Sequence, residues 1–318
     1  MSHPLRLILL SLASACAPSQ APLVAKAPTS EAPNATPSPP PSASTPGTTP
    51  STPAPTNPSA SIPCGGLGCL RFRSTEAAFE HVLSERPLVL ALGEAHAQKG
   101  TEAIPSTAKR FAEQLLPRLV GRARALVVEL LVSDGKCGGQ VEQRVAEQQR
   151  PVTENQAASN QNEFLTLAQQ SKALGIVPYP LRPTCDEYRA ITGAGAGDID
   201  RMLTTVRDAS LRTLNGLLDT ASNSAEPGLI LAYGGALHND LSPRSGRESW
   251  SFGPALRERT NGRYVELDLI VPEYVKDTES WQAFPWYKEY QTASHTEETL
   301  LYSPSPSSFV LIFPRFSP

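Results

Sequence analysis

The stretch Leu88-Val89-Leu90-Ala91-Leu92-Gly93-Glu94-Ala95-His96 decides the fold. Five apolar residues run without alternation and stop at a glycine, the pattern of a strand buried on both faces. Such runs recur downstream at Ala125 to Val132, Ile176 to Leu181, Leu229 to Tyr233, Tyr264 to Val271 and Phe309 to Phe313. Between them lie segments of helical spacing: Ser106 to Val120, Asn162 to Leu174 ended by Gly175, and a helix capped by Asp198 that runs to about Asp219. Pro117 strains the last turn of the first helix, and the prolines of Ile176 to Leu181 put that strand near an edge. Alternating strands and helices predict an α/β domain with a mainly parallel sheet flanked by helices. The aromatic stretch Trp281 to Tyr290 is read as cover for the core, with a lid or binding rim as the alternative.

Outward from this core the chain changes character. Residues 17 to 63 hold fourteen prolines, no aromatic residue and two charges, Lys26 and Glu31. Such a segment cannot bury enough apolar surface to offset its ordering entropy, so it reads as a disordered tether reaching about 40 Å. The first fifteen residues have a positive Arg6, an apolar run Leu7 to Leu12 and small residues Ala13-Ser14-Ala15, the outline of a secretory signal too short to span a bilayer. With Cys16 following, the arrangement resembles a bacterial lipobox, which implies cleavage before Cys16 and its lipidation. An ordinary signal peptide cut after Ala15 is the alternative. The expected organisation is signal peptide 1–15, lipidated tether 16–63 and one α/β domain 64–318. The chain is then exported and held by its lipid at a bacterial membrane, in the outer membrane, periplasm or cell surface.

Net charge is −3 with both signs interspersed, which argues against nucleic acid as a partner. Four cysteines remain besides Cys16, and an even number in an exported chain suggests two disulfides. The favoured pairing is Cys64–Cys69 with Cys137–Cys185; a zinc site is the rival reading, although no CxxC knuckle is present.

Two of the five histidines share a context. His96 follows LVLAL in Gly93-Glu94-Ala95-His96, and His238 follows LILAY in Gly235-Ala236-Leu237-His238. The carboxyl ends of parallel strands face the crevice where ligands bind, so both imidazoles are delivered to one sheet edge. A starting glycine is read as freeing the backbone to leave the strand. Two turn histidines are the plainer alternative. Glu129 lies inside ALVVELLV, where an ionised carboxylate needs a partner: an arginine, or a functional role as metal ligand or base. Arg182 follows the third strand and is placed to pair with Glu129 or to bind an anionic group. Asp186 and Glu187 read as solvated loop charges, and Gly193 to Gly197 as a flexible entry loop.

Together these motifs resemble the superfamily joining ChaN-like haem-uptake lipoproteins, TIKI/TraB proteins and erythromycin-esterase-like hydrolases, over about Leu88 to Asp240. The TIKI branch is described by two GxxH motifs with a Glu and an Arg, matched by His96, His238, Glu129 and Arg182. The esterase branch implies a GE…H…E element, matched by Glu94, His96 and Glu102. The leading expectation is a metal-dependent hydrolase of a peptide or ester bond in a small-molecule or peptide substrate. His96, His238 and Glu94 would hold a divalent Mn, Co or Zn ion, Glu129 would take a proton from the bound water, and Arg182 would stabilise charge. A metal-free variant with His96 as base stays open. The ChaN-like branch implies haem instead, with Tyr233, Tyr188 and the Trp281 to Tyr290 stretch as its surroundings. A catalytically silent scaffold is the third reading.

Overall fold

A computed structural model describes residues 61–317, apart from 133–136, 138–140, 142, 146, 148–155, 194–198, 222–227 and 293–296, and in addition Ala13–Ser14. The expected tether lies outside the described residues up to residue 60, as do the Asp198 cap and all of the glycine run after Gly193; the last two tether residues, Ile62–Pro63, are instead a short strand of the domain.

The apolar runs become the strands β4 (Val89–Glu94), β5 (Ala123–Leu131), β6 (Val177–Leu181), β7 (Leu229–Gly235), β8 (Tyr264–Ile270) and β10 (Ser308–Ile312). They join one sheet in the order β6-β5-β7-β4-β8-β10, every pair parallel. The sheet continues through antiparallel β9 (Thr299–Ser305), β3 (Leu70–Phe72) and β2 (Ile62–Pro63). A two-residue strand, β1 (Ala13–Ser14), pairs in parallel with Leu130 and Leu131. The fold is thus α/β with a mostly parallel sheet, as the sequence predicts, and β6 with Pro178 and Pro180 lies at its margin.

Alternate residues of each strand feed two cores. Leu90, Leu92, Val128, Leu231 and Leu267 pack on one face against α1 (Thr75–Leu83), the segment that starts with α2 (Thr107–Arg110), and α3 (Asn160–Ala173). Val89, Ala91, Val127, Ile230 and Ala232 pack on the other against α4 (Cys185–Gly193), α5 (Asp200–Ala221) and α6 (Gly253–Arg259). Pro117 has the effect its chemistry requires. It lacks the N–H that an α-helix needs there, and the expected single helix opens into a π turn at Phe111–Leu115 and a 3₁₀ turn at Leu116–Leu119. Carried on α7 (Glu279–Gln282) and α8 (Pro285–Thr292), the aromatic stretch closes a third cluster. Trp286, Tyr287 and Tyr290 are buried there against Ile270, Leu300 and Val310. Cover, not a rim, is its role.

The disulfides are Cys64–Cys69 and Cys137–Cys185, the favoured pairing. No helix among the described residues is long and apolar enough to cross a membrane.

The strand order positions the site. β4 and β7 are neighbours, yet the chain leaving β4 enters the core containing Phe111, while the chain leaving β7 enters the core containing Leu256. Connections that part to opposite faces open a crevice at the carboxyl ends of the strands.

Candidate active site at the ends of β4, β5 and β7

Glu94 ends β4 on the face of Leu92, paired in register with Gly235. His96 lies two residues on, and its Nδ1 is 2.5 Å from Glu94 Oε1. A carboxylate accepts, so Nδ1 carries the proton and the lone pair of the neutral ring is on Nε2. The other Glu94 oxygen accepts from the Tyr233 hydroxyl of β7. Burial, and then the Glu94 charge, push Tyr233 well above its ordinary pKa, which keeps it a donor. Phe164 of α3 packs on both partners, 5.5 Å from the His96 ring and edge-on to Tyr233 at 5.6 Å. The approach to the same helix and its first residue clamp the His96 loop: Ala157 N and Asn160 Nδ2 both donate to the Ala97 carbonyl, at 2.9 and 3.0 Å. His96 is therefore oriented from three sides and is 2 % exposed.

Glu129 enters from the opposite face on β5 and is 4 % exposed. Its Oε2 accepts from Gly235 N–H at 2.7 Å, and its Oε1 is 3.7 Å from His238 Nε2. Burial raises the Glu129 pKa, opposed by His238 and His96. Its partners are thus a backbone amide and an imidazole, and not the arginine that was one expectation. His238 is fixed from behind: its Nδ1–H donates to the Trp250 carbonyl at 2.8 Å, and its own carbonyl accepts from Phe252 N at 2.9 Å.

The glycines explain how the two halves meet. A Cβ on Gly234 would lie 2.8 Å from Glu129 Cβ and overlap its carboxylate. A Cβ on Gly93 would collide with Asp268 and lie 2.7 Å from Asn239 Nδ2. A Cβ on Gly235 would stand 3.5 Å from His96 Nε2, 3.6 Å from Glu129 Oε2 and 4.0 Å from His238 Cδ2. Three functional side chains converge on that point. Neither Gly93 nor Gly235 has positive φ, so the reading of backbone freedom is corrected: these glycines serve close approach.

The other expected residues fall elsewhere. Arg182 is exposed, and it does not line the cavity formed by Glu129, Tyr233, Gly235 and His238. Glu102 is exposed and accepts from Gly100 N–H. Glu187 ties α4 to α5 through a two-pronged contact with Arg212, at 2.6 and 3.0 Å, and Asp186 pairs with Arg189.

The expected ligand set of His96, His238 and Glu94 does not converge on one point. Both Glu94 oxygens are engaged by His96 Nδ1 and Tyr233, and a metal cannot share them without breaking the contacts that orient His96. Among the described residues, no group of three or more His, Cys, Asp or Glu side chains is arranged to hold a metal ion. Haem does not fit either. Tyr233 and Tyr188 belong to the cores on opposite faces of the sheet, and the cavity at the site is ≈ 10 Å³, about one water.

Several residues here were not singled out from the sequence: Asn239, Trp250, Phe164, Ser210, and the acids Glu266 and Asp268. The last two sit in the buried strand YVELDLI, and the reasoning applied to Glu129 would have found them. Glu266 Oε2 accepts from Leu241 N at 3.2 Å and Asp268 Oδ1 from Asn239 Nδ2 at 3.3 Å, so these acids hold the chain just beyond His238. Burial raises both pKa values, that of Asp268 to about 7.

No protein-family model and no curated protein matches the chain. Among solved structures, a mutant erythromycin esterase in its open conformation is similar at 13% identity, over 74% of this chain and 93% of that chain, with a TM-score of 0.34. A likeness at that score identifies no family, and the chemistry rests on the geometry.

Proposed function

We propose that the domain is a hydrolase of ester or amide bonds working by proton transfer, with His96 as general base. One observation carries the reading: Glu94 holds His96 Nδ1 at 2.5 Å, so the basic Nε2 faces the point shared with Glu129 and His238. An imidazole oriented by a carboxylate opposite a second acid–imidazole pair suits a two-proton reaction. His96 Nε2 takes a proton from water while the water oxygen bonds to the substrate carbonyl carbon. The Glu129–His238 pair returns a proton to the leaving oxygen or nitrogen as its bond to that carbon breaks. The same reading keeps the domain exported and tethered to a membrane through lipidated Cys16, a setting with which two disulfides are compatible.

The test is turnover of p-nitrophenyl acetate and a peptide amide by the full-length protein, before and after exhaustive chelation. The expected result is hydrolysis that survives chelation and falls by about 10²-fold or more in His96→Ala. Activity abolished by chelation and restored by Mn, Co or Zn would move the chemistry to a metal, and a Soret band in the purified protein would favour haem. No turnover of either substrate would remove the hydrolase reading.

A further inference from the structure

The mechanism uses Glu129 only through its proton, but the cavity beside it has a polar lining that calls for an occupant. Val127, Ala232, Leu92 and Phe252 form apolar walls, and Glu129, Asn239 and Ser210 supply the polar groups. Two of these acceptors lack a hydrogen-bond partner among the described residues. Glu129 Oε1, with His238 Nε2 at 3.7 Å and so beyond hydrogen-bond range, and Asn239 Oδ1 are buried on residues 4 % and 2 % exposed. The orientation of the Asn239 amide follows from its neighbours. Its nitrogen faces two acceptors, Asp268 Oδ1 at 3.3 Å and the Ala91 carbonyl at 3.5 Å, so its oxygen must face away from them. Ser210, buried in α5 at 4 % exposure, also lines the cavity.

Two unmatched buried acceptors carry a substantial desolvation cost, and a water that donates to both removes it. The cavity, at ≈ 10 Å³, is of the size that admits one water. Gly235 also lines it, and the position of a Gly235 Cβ is 3.5 Å from His96 Nε2.

We infer that Ser210 and Asn239, with Glu129 Oε1, form a subsite for a single water and that this water is the nucleophile of the proposed reaction. It donates to Glu129 Oε1 and Asn239 Oδ1 and accepts from the Ser210 hydroxyl. On moving to the carbonyl carbon it gives one proton to His96 Nε2, and its oxygen forms the new bond. Ser210 and Asn239 are then positioning residues. The inference rests on the hydrolase reading for the word nucleophile and on the cavity alone for the water.

The experiment combines a high-resolution crystal structure of the full-length protein with p-nitrophenyl acetate kinetics of Ser210→Ala and Ser210→Val. Ser210→Ala removes one hydrogen bond and leaves the space; kcat should fall about fivefold with KM unchanged and the water retained. Ser210→Val fills the space; the water should vanish and kcat fall about 100-fold, again at constant KM and with the Tm of wild type. A purely structural serine would instead move Tm together with both kinetic constants. A wild-type crystal without water within hydrogen-bond distance of Glu129 Oε1 and Asn239 Oδ1 would overturn the subsite, as would full activity in Ser210→Val. An ordered water in a protein that hydrolyses nothing would leave the subsite standing and remove its role as nucleophile.

Discussion

His238 Nδ1 lies 2.8 Å from the Trp250 carbonyl, and this contact settles which ring nitrogen faces Glu129. A carbonyl only accepts, so Nδ1 keeps its hydrogen, and Nε2 of the neutral ring presents a lone pair to Glu129 Oε1 at 3.7 Å. A lone pair opposite a carboxylate is repulsive unless a proton joins them. Burial raises the Glu129 pKa and so favours its acid form, which relieves that repulsion. Glu129→Gln retains an oxygen for Gly235 N–H but cannot share that proton. Its kcat for p-nitrophenyl acetate should fall by about 10²- to 10³-fold, with circular dichroism unchanged. The acidic limb of the pH–rate profile should flatten as well, and an unaltered profile would show that the pair carries no proton in turnover.

Gly235 offers a sharper separation of fold from function. A Cβ there meets its nearest neighbours at 3.5 to 4.0 Å, which is ordinary contact, but it occupies the meeting point of His96, Glu129 and His238. Gly235→Ala should hold its Tm close to wild type and lose about 10²-fold or more in kcat/KM. Gly234→Ala differs, because its Cβ overlaps the Glu129 carboxylate, and it should cost about 1–3 kcal/mol of stability by overpacking. Thermal melts beside kinetics on the two variants check the contrast; equal destabilisation of both would refute it.

The sequence made the parallel half of the fold legible because strands buried on both faces leave unbroken apolar runs, as in LVLAL and LILAY. The antiparallel half was hidden. β3 is three residues long and β9 contains Pro304, so neither shows period-two alternation over a useful length. At the site, the glycines and histidines were visible because they follow strands directly. The role of Glu94 was not. Whether its carboxylate faces a metal or His96 depends on Tyr233, and that pairing exists only because β7 is inserted between β4 and β5, which local pattern does not encode. Arg182 lies away from the cavity for a related reason. It ends a strand on the correct edge, but β6 stands two places from β7, and its side chain is exposed.

Asp268 predicts a pH dependence of stability. Burial raises its pKa to about 7, so the native state binds a proton that the unfolded chain has released by about pH 4. Between those values the native state holds more protons than the unfolded state, and stability falls as pH rises, the loss being complete above about pH 7. Glu266, shifted upward by burial and by the charges of Asp268 and Asp240, adds to the same slope. Asp268→Asn keeps an oxygen for Asn239 Nδ2 and removes the titration. Its melting temperature should vary less than that of wild type between pH 5 and pH 8 (about 2–4 °C for each kcal/mol), and should exceed it at pH 8. Parallel curves for the two proteins would place the pH response elsewhere.

The two disulfides should contribute unequally. Cys64–Cys69 closes a separation of 5 residues and Cys137–Cys185 one of 48. Loop-closure entropy restrains the unfolded chain by about 2 kcal/mol for the shorter loop and about 4 kcal/mol for the longer. The longer bridge also ties the first residue of α4 to the stretch that follows β5, the strand carrying Glu129. Replacing Cys137 and Cys185 by alanine should therefore lower Tm by more than replacing Cys64 and Cys69, and should depress kcat as the Glu129 strand end loosens. The shorter bridge closes the turn between β2 and β3, at the opposite end of the strand order from Glu129, so its loss should leave kcat within about twofold. Melting curves and p-nitrophenyl acetate kinetics of the two double variants decide it: a larger Tm loss for the shorter loop would mean that native contacts around Gly66, rather than chain entropy, set its value.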